Sequence, residues 1–444
     1  MKKAYIETYG CQMNVADSEV VASLLRDNGF EICSDIQHAE LILVNTCSIR
    51  ENAEQRIWGR LDLFRKEKKK RPAIVVGVIG CMAERLKEKL LESDKLVDIV
   101  VGPDAYRELP ALVAGAMEGH KAVNVLLSRE ETYADIAPVR LGQGGVTAFI
   151  SIMRGCNNMC SYCVVPYVRG AERSRDPLTI LNEAESLFRD GYREVTLLGQ
   201  NVDSYRWRAG DGTTTFSDLL RMVASVSPML RVRFSTNHPK DMSDSLLETM
   251  AAFPNICRHI HLPVQSGSNN ILKLMNRKYT REWYMERIEA IRRILPDCAI
   301  STDIIAGFCS ESGEDHLQTL SLLEWARFDF AYMFAYSERP GTGAARKLKD
   351  DVSEPVKKQR LNEIITLQNR ISASVKRHDV GMVFEALVEG ESKKSADHLF
   401  GRTSQNKVVV FPAGNIVKGE YVNVLVEHST SATLIGKVID KDKN

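Results

Sequence analysis

The chain has 444 residues, of which 44% are hydrophobic and 26% are charged. This length and composition indicate a globular protein of roughly two to four domains. The formal net charge is +1, so composition neither supports nor excludes a nucleic-acid partner. No apolar run reaches membrane-spanning length, and Glu7 interrupts any apolar signal core near the N-terminus. We therefore expect a cytoplasmic protein without a membrane segment.

The first segment, residues 1–125, alternates predicted strands and helices. Strands are predicted at 4–9, 41–44 and 74–79, and helices at 17–28 and 83–91. Asp17 and Ser18 are candidates to cap the first helix. The second and third strands are continuous apolar runs, as expected of buried parallel strands. This βαβαβ order predicts an open parallel α/β domain.

The second segment, residues 142–373, contains six predicted strands separated by helical stretches. They lie at 148–153, 194–198, 231–235, 259–264, 299–305 and 328–336. Six successive βα units predict a part-barrel, because the commonest complete barrel has eight.

The third segment, residues 374–440, changes to short strands separated by glycines and polar turns. These strands are predicted at 382–388, 407–411, 420–426 and 432–439. The segment therefore reads as a small all-β barrel.

Cys156, Cys160 and Cys163, the core cysteine trio, follow the predicted strand at 148–153 with the spacing Cys-x3-Cys-x2-Cys. Soft thiolates favour zinc or iron–sulfur clusters. A structural zinc site normally has four ligands, and the sequence shows no fourth Cys or His nearby. Three ligands on a four-iron cluster would leave one iron free to bind another molecule.

Cys11, Cys47 and Cys81, the N-terminal cysteine trio, each follow a predicted parallel strand and precede the next helix. Because the carboxyl ends of parallel strands share one ligand-binding edge, we expect these cysteines to converge. Burial in the core is the alternative. Convergence predicts a second iron–sulfur cluster. The remaining cysteines are expected to pack in the core: Cys33, Cys257, Cys298 and Cys309.

The Cys-x3-Cys-x2-Cys motif, with Tyr162 directly before its last cysteine, resembles the signature of the radical S-adenosylmethionine superfamily. The resemblance implies a (βα)6 part-barrel, which agrees with the six predicted strands. It also implies a four-iron cluster whose free iron chelates the amino and carboxyl groups of S-adenosylmethionine. Cleavage of that molecule would then release a 5′-deoxyadenosyl radical.

The whole chain resembles the methylthiotransferases, whose C-terminal module is a TRAM-like barrel. Residues 10–14, residues 163–170 and the pair His238-Pro239 resemble the tRNA-modifying MiaB branch most. That branch attaches a methylthio group to C2 of N6-(dimethylallyl)adenosine next to the anticodon.

This resemblance implies two [4Fe-4S] clusters, with S-adenosylmethionine as both methyl donor and radical source. The implied partners are the anticodon stem-loop of tRNA, an electron donor such as flavodoxin or ferredoxin, and a protein that supplies sulfur or clusters.

Polar residues at the carboxyl ends of the core strands are candidate contacts of S-adenosylmethionine, because βα barrels place their functional residues there. With Tyr162, these candidates are Gln200, Asn201, Ser235, Gln265 and Asp303. Ordinary loop capping is the alternative for each.

Three arginines follow the core cysteine trio and are candidates to bind tRNA phosphates or the carboxylate of S-adenosylmethionine. The alternative is surface ion pairing with Glu172 and Asp176. The arginines are Arg169, Arg173 and Arg175.

Two other functions remain open at this point. The same chemistry could act on threonylcarbamoyladenosine in tRNA or on an aspartate of a ribosomal protein. The chain could also be an iron–sulfur electron carrier or an RNA-binding protein without radical activity, although its six-stranded core is larger than a carrier needs.

Overall fold

The computed structural model describes residues 1–47, 51–92, 96–142, 144–393, 395–430 and 432–439. It contains a parallel α/β domain, a part-barrel and a small closed barrel in chain order. Within the described residues, no helix combines the length and apolar character that crossing a membrane requires.

The N-terminal domain is a six-stranded, entirely parallel sheet in the order β2-β1-β3-β4-β5-β6. Its strands are β1 (Lys2–Tyr9), β2 (Phe30–Ile32), β3 (Leu41–Thr46), β4 (Val75–Gly80), β5 (Ile99–Val101) and β6 (Ala122–Asn124). Its helices are α1 (Gln12–Asp27), α2 (Glu51–Lys70), α3 (Cys81–Leu86) and α4 (Leu109–Met117). The predicted open parallel sheet is confirmed, with three additional strands of three residues each.

Both faces of this sheet are covered, which explains why β3 and β4 are buried along their whole length. One face packs against α1 and α4, through residues such as Val21 and Val113. The other packs against α2 and α3, through residues such as Phe64 and Met82. The strands β2, β5 and β6 were not predicted, because three residues are too few to show the hydrophobic periodicity of a strand.

Helix α1 begins at Gln12, five positions before the predicted start at Asp17. The residue that caps it is Cys11, whose backbone N–H donates to the Asn14 side chain at 3.3 Å. Neither Asp17 nor Ser18 is a cap, because both are buried inside the helix.

The second domain contains six parallel strands with helices outside them, and two short antiparallel pairs. The parallel strands are β7 (Thr147–Ser151), β10 (Glu194–Leu198), β13 (Arg231–Ser235), β14 (His259–His261), β15 (Ala299–Ala306) and β16 (Phe330–Ala335). The antiparallel pairs are β8 (Met153–Arg154) with β9 (Arg173–Ser174), and β11 (Arg206–Ala209) with β12 (Gly212–Thr215). Its helices are α5 (Val165–Arg169), α6 (Pro177–Arg189), α7 (Phe216–Ala224), α8 (Asp244–Ala252), α9 (Asn269–Leu274), α10 (Arg281–Ile294), α11 (Gly313–Ala326), α12 (Gly343–Lys347) and α13 (Glu354–His378).

The six strands form two parallel halves, β7-β10-β13 and β14-β15-β16. A parallel bridge between Val232 and Ile256 joins the two halves. Alternate strand residues, such as Ile150 and Ile304, pack against the helices in the largest apolar cluster. The residues between them face the barrel interior. The six strands predicted from the sequence are thus confirmed as a part-barrel, with β7 and β16 at its two edges.

The C-terminal domain is a closed five-stranded barrel in the order β17-β18-β19-β21-β20. Its strands are β17 (Val383–Ser392), β18 (Ser395–Thr403), β19 (Val408–Pro412), β20 (Tyr421–Ser429) and β21 (Leu434–Ile439). The all-β barrel is confirmed, but the sequence predicted only four strands. Strand β18 was missed because it begins Ser-Ala-Asp-His and has few apolar residues. Helix α13 runs to His378, past the predicted domain start at residue 374.

The small barrel closes the amino-terminal end of the part-barrel. Arg233, inside β13, donates to the backbone oxygens of Thr403 at 3.2 Å and Ser404 at 3.3 Å. The Tyr421 hydroxyl donates to the Arg193 carbonyl, just before β10, at 2.8 Å. The carboxyl-terminal end of the part-barrel is left for ligands, as in other βα barrels.

Buried ion pairs join the N-terminal domain to the part-barrel. Asp17 of α1 accepts from Arg154 at 2.7 Å and from Arg169 at 2.8 Å, and its side chain is 1% exposed. Arg173 donates to Asp104 at 2.8 Å. These five residues are called the interdomain charge network below.

We predict that Asp17→Asn lowers the stability of the apoprotein by about 3–5 kcal/mol, because it leaves two guanidinium groups without their buried partner. The matched control is Asp27→Asn at the exposed end of the same helix, where the side chain is 62% exposed and the expected change is within about 0.5 kcal/mol. Urea unfolding followed by circular dichroism measures both midpoints. Equal shifts for the two variants would contradict the assigned role of the network.

Candidate active site

The N-terminal cysteine trio lies where β1, β3 and β4 end side by side in the sheet. The Cys11 and Cys47 side chains are in hydrogen-bonding contact. Cys47 and Cys81 are buried, whereas Cys11 is exposed. The predicted convergence of the three strand ends is therefore observed.

Two glycines allow this close approach. Gly10 (φ +147°) and Gly80 (φ +89°) directly precede Cys11 and Cys81. A Cβ atom on Gly10 would lie 2.7 Å from the Cβ of Cys47, a distance that real Cβ contacts do not show. At Gly80, an added Cβ would collide with the Asn45 side chain. Larger residues at these two positions would push the strand ends apart.

A buried polar clamp fixes the same strand ends. The Asn14 side chain donates to Asn45 Oδ1 at 3.0 Å, and the Asn45 amide donates back to the Asn14 carbonyl at 2.8 Å. The Asn45 amide also donates to Ser18 Oγ at 2.9 Å, and Ser18 Oγ contacts Thr8 Oγ1 at 2.7 Å. Helix α1 is thus tied to both β1 and β3 next to Cys11 and Cys47, and the trio is positioned before any ligand binds.

The core cysteine trio lies on a loop after β8 that backbone contacts hold in place. The Cys156 N–H donates to the Gly170 carbonyl at 3.1 Å, and the Cys163 N–H donates to the Cys160 carbonyl at 3.0 Å. The Asn158 N–H points at Cys156 Sγ at 3.4 Å. Backbone N–H donors of this kind stabilise thiolate charge in iron–sulfur sites.

Arg277 supports the core trio from the opposite side of the barrel mouth. Its Nη1 lies 3.3 Å from Cys160 Sγ, and its Nη2 donates to the Pro263 carbonyl at 2.7 Å. Its side chain is buried beside Tyr162 and Tyr279. A buried cation against a thiol indicates that the site is built for thiolate charge.

Arg169 connects the two trios. It ends helix α5, which begins just after Cys163, yet its Nε lies 3.2 Å from Cys81 Sγ in the other trio. Its Nη2 donates to Asp17 at 2.8 Å. Burial and this ion pair fix the guanidinium. The carbonyl of the next residue, Gly170, accepts from the Cys156 N–H at 3.1 Å, so this short segment contacts both trios.

The cysteine pKa values differ between the trios. The hydrogen bond from Cys47 lowers the pKa of Cys11 to about 6. Burial raises the pKa of Cys156 to about 11 and that of Cys163 to about 12. Metal binding requires thiolates, so loading of the core trio must release protons and will be favoured by alkaline conditions.

The donor sets fit iron–sulfur clusters. Within the described ranges, no three His, Cys, Asp or Glu side chains converge as ligands of a single metal ion. A four-iron cluster has a different requirement, because each of its three thiolates binds a separate iron. Each trio supplies three cysteines and one buried guanidinium that offsets negative charge.

The candidate contacts of S-adenosylmethionine fall into two groups around the barrel mouth. Gln200, Asn201 and Ser235 lie at the ends of β10 and β13, where the Val202 N–H donates to the Thr236 carbonyl at 3.0 Å. Asn201 is 1% exposed, and its Oδ1 has no hydrogen-bond partner among the described residues. An unused buried acceptor at a barrel mouth fits a ligand that donates a hydrogen bond.

The second group lies at the ends of β14 and β15. The Gln265 N–H donates to the Asp303 carbonyl at 2.8 Å, and Gln265 has a positive φ of 72°. The Asp303 carboxylate lies 3.4 Å from His261 Nε2. Tyr162 belongs to neither group, since its ring packs edge-on against Phe308 with centroids 6.4 Å apart.

Sequence reasoning was wrong about two of the roles considered for the three arginines after the core trio, tRNA-phosphate binding and surface ion pairing. Their side chains are nearly fully buried, which leaves them inaccessible to tRNA phosphates. They also do not pair with Glu172 or Asp176: Arg169 pairs with Asp17, Arg173 with Asp104, and Arg175 with Glu183. The sequence around these arginines gave no signal that they are buried, because their ion-pair partners come from other segments of the chain. Of the cysteines expected in the core, Cys257 and Cys309 are buried, while Cys33 and Cys298 are partly exposed.

Sequence reasoning also missed an aromatic stripe inside the open edge of the part-barrel. Phe330, Tyr332 and Phe334 alternate along β16 and are 48%, 46% and 36% exposed. The Tyr332 ring packs edge-on against His261, with centroids 5.7 Å apart. The aromatic-x-aromatic-x-aromatic spacing was the available signal, but a buried strand shows the same pattern.

Family models match three parts of the chain. Residues 3–102 match the uncharacterized protein family UPF0004, residues 150–323 the radical SAM superfamily, and residues 377–439 the TRAM domain. These matches correspond to the α/β domain, the part-barrel and the small barrel.

Among solved structures, the chain resembles the radical S-adenosylmethionine methyltransferase TsrM from Kitasatospora setae. The TM-score is 0.56 at 14% identity, over 78% of this chain and 75% of that chain. The cobalamin-dependent S-adenosylmethionine radical enzyme OxsB gives a TM-score of 0.54 at 14% identity, over 83% of this chain and 56% of that chain. At these identities, the likeness shows the fold alone.

Two curated relatives are similar over nearly their whole length. A tRNA-2-methylthio-N(6)-dimethylallyladenosine synthase from Amoebophilus asiaticus is 58% identical over 449 residues, which cover 98% of this chain and 92% of the relative. A synthase of the same name from Bacteroides thetaiotaomicron is 57% identical over 439 residues, which cover 99% and 96%. With the three domain matches, this identity shows that the chain belongs to the tRNA-2-methylthio-N(6)-dimethylallyladenosine synthase family of radical S-adenosylmethionine enzymes.

Proposed function

We propose that the protein adds a methylthio group to C2 of N6-(dimethylallyl)adenosine in the anticodon loop of tRNA, with S-adenosylmethionine as methyl donor and radical source. The observation that carries the proposal is the segment Arg169-Gly170, which contacts both cysteine trios: the Arg169 side chain contacts Cys81, and the Gly170 carbonyl accepts from the Cys156 N–H. An electron carrier needs one such site and no barrel mouth. An enzyme that makes a radical and delivers sulfur needs both sites close together.

We assign the core cysteine trio and the N-terminal cysteine trio as ligands of two [4Fe-4S] clusters. When bound, the first would give an electron to S-adenosylmethionine, and the second would offer an iron that binds sulfur. A radical route suits this substrate, because the C2–H bond of adenine is not acidic and acid–base groups alone would struggle to open it.

The chain's own residues orient and enclose the reactants. Asn201 and Gln265, on opposite sides of the barrel mouth, are assigned as contacts of S-adenosylmethionine together with Gln200, Ser235 and Asp303. Met13, two positions after Cys11, packs against Leu198 and Phe149 and closes the β7 edge. The small barrel closes the amino-terminal end, so the β16 edge with its aromatic stripe is the assigned entry for the base.

We further propose that an electron donor such as flavodoxin or ferredoxin, and a protein that supplies sulfur or clusters, serve this enzyme. Radical cleavage consumes an electron, and each product removes one sulfur, so both must be replenished. A tRNA substrate would place the enzyme in the cytoplasm.

Anaerobic reconstitution with iron and sulfide, followed by reductant, S-adenosylmethionine and tRNA carrying dimethylallyladenosine, tests the function. Mass spectrometry should detect both 5′-deoxyadenosine and the methylthio nucleoside. Formation of 5′-deoxyadenosine alone would indicate that the substrate is threonylcarbamoyladenosine in tRNA or a ribosomal protein. Neither product, from protein holding about eight iron and eight sulfide as two four-iron clusters require, would support an electron carrier.

We predict that Cys11→Ala holds about four iron rather than about eight, still forms 5′-deoxyadenosine and makes no methylthio nucleoside. The reason is that it removes a ligand from the N-terminal trio and leaves the core trio intact. Cys33→Ala is the matched control, since Cys33 follows the neighbouring strand β2 but lies outside the trio. Methylthio product from Cys11→Ala, or an equal iron loss in Cys33→Ala, would refute the assignment of separate clusters and separate roles to the two trios.

Tyr332→Ala should raise the KM for tRNA about five- to a hundredfold, since stacking of one base on an aromatic ring contributes about 1–3 kcal/mol. Tyr332→Phe, which keeps the ring, should behave like wild type. Formation of 5′-deoxyadenosine without tRNA serves as the control and should not change. An unaltered KM for tRNA in Tyr332→Ala would show that the aromatic stripe does not contact the substrate base.

A further inference from the structure

One nitrogen of the Arg169 side chain makes no hydrogen bond to the described residues. Nε lies against Cys81 Sγ at 3.2 Å, and Nη2 donates to Asp17 at 2.8 Å. Nη1 is buried and has no hydrogen-bond partner among the described residues. The residue as a whole is 3% exposed. Buried guanidinium nitrogens are nearly always paired, so an unpaired one beside a candidate metal site indicates a ligand.

The charge of the surroundings favours an anion. The interdomain charge network contains three guanidinium groups, from Arg154, Arg169 and Arg173, against the two carboxylates of Asp17 and Asp104. Arg169 is the member of this network that touches a cysteine, so the guanidinium charge that the two carboxylates do not balance offsets the thiolates of the N-terminal trio and any anion bound beside them.

The free donor and the neighbouring trio together favour a small soft anion. The Nε and Nη2 edge of Arg169 is divided between Cys81 and Asp17, which leaves Nη1 as a buried donor beside the trio. Sulfide and a small thiolate can accept a hydrogen bond from a guanidinium, and they are soft ligands that an iron site accepts.

We propose that Arg169 is a positioning residue that holds a sulfide or small thiolate at the N-terminal cysteine trio through Nη1, while its Nε holds the Cys81 sulfur. The inference rests on the proposed function, because it takes the N-terminal trio to carry an iron–sulfur cluster. It assigns a sulfur-binding role to a residue outside the cysteine ligands.

The test uses the full-length chain with Cys156, Cys160 and Cys163 replaced by alanine, so that only the N-terminal trio holds a cluster. Sodium methanethiolate is the probe, and its binding is followed by the change in the electron paramagnetic resonance spectrum of the reduced cluster. In this background, Arg169→Met should weaken methanethiolate binding about tenfold or more, because a charge-assisted hydrogen bond is lost. Its cluster should also have a more negative midpoint potential, since a donor to sulfur has been removed.

Arg175→Met is the matched control, because Arg175 is likewise buried and follows the core trio, but it pairs with Glu183 and lies outside the interdomain charge network. It should change methanethiolate affinity by less than about threefold, since its hydrogen bonds are to oxygen. Arg169→Lys keeps the charge and should bind the probe with intermediate affinity, which also covers the case in which Arg169→Met fails to fold.

Three outcomes would overturn the inference. They are equal affinity with and without Arg169, an equal loss in Arg175→Met, and no binding of methanethiolate to a background protein whose N-terminal trio holds a complete cluster. The wild-type product assay separates this failure from failure of the proposed function. A wild-type enzyme that makes the methylthio nucleoside keeps its function even if Arg169→Met binds the probe normally.

Discussion

The buried pairing of Asp17 with Arg154 and Arg169 is the constraint on which the arrangement of both cysteine trios depends. Asp17 lies in α1, which starts at Cys11, while the two arginines lie on either side of the core trio. Burial alone would raise the pKa of Asp17, but the charges of Arg154 and Arg169 outweigh it and keep that pKa below its usual range. A buried ion pair adds little net stability over apolar residues, yet breaking one is costly. The network therefore acts mainly to fix how the two domains meet.

The rest of the architecture closes the amino-terminal end and the β7 edge of the part-barrel, and leaves its carboxyl-terminal end and its β16 edge open. The small barrel seals the amino-terminal end through Arg233, and α1 covers the β7 edge through Met13. The β16 edge keeps three exposed aromatic residues facing inward, of which Tyr332 contacts His261. A radical must be kept from water and from other targets, and closure of one end and one edge of the barrel limits the access of both. Removal of the whole small barrel would expose buried Arg233, so single substitutions are better probes of tRNA binding than deletion.

Much of the fold could be predicted from the sequence, because strand-length apolar runs and their spacing are local signals. The six core strands and the convergence of Cys11, Cys47 and Cys81 followed from such signals and from the rule that parallel strands end at one edge. The interdomain network could not be predicted in this way. Arg154 and Arg169 meet Asp17 across 137 and 152 residues, and nothing local to any of the three marks it as buried. For the same reason, Asp17 was taken for a helix cap, and the burial of Arg169 was not predicted.

We propose that the interdomain charge network holds two clusters next to each other. Electron paramagnetic resonance can detect this proximity when the fully reduced, reconstituted enzyme is compared with two variants, each carrying alanine at one cysteine trio. We expect the wild-type spectrum to be split or broadened relative to the sum of the two variant spectra, because two neighbouring reduced clusters interact magnetically. A wild-type spectrum equal to that sum, from protein with full iron and sulfide content, would show that the clusters are not neighbours.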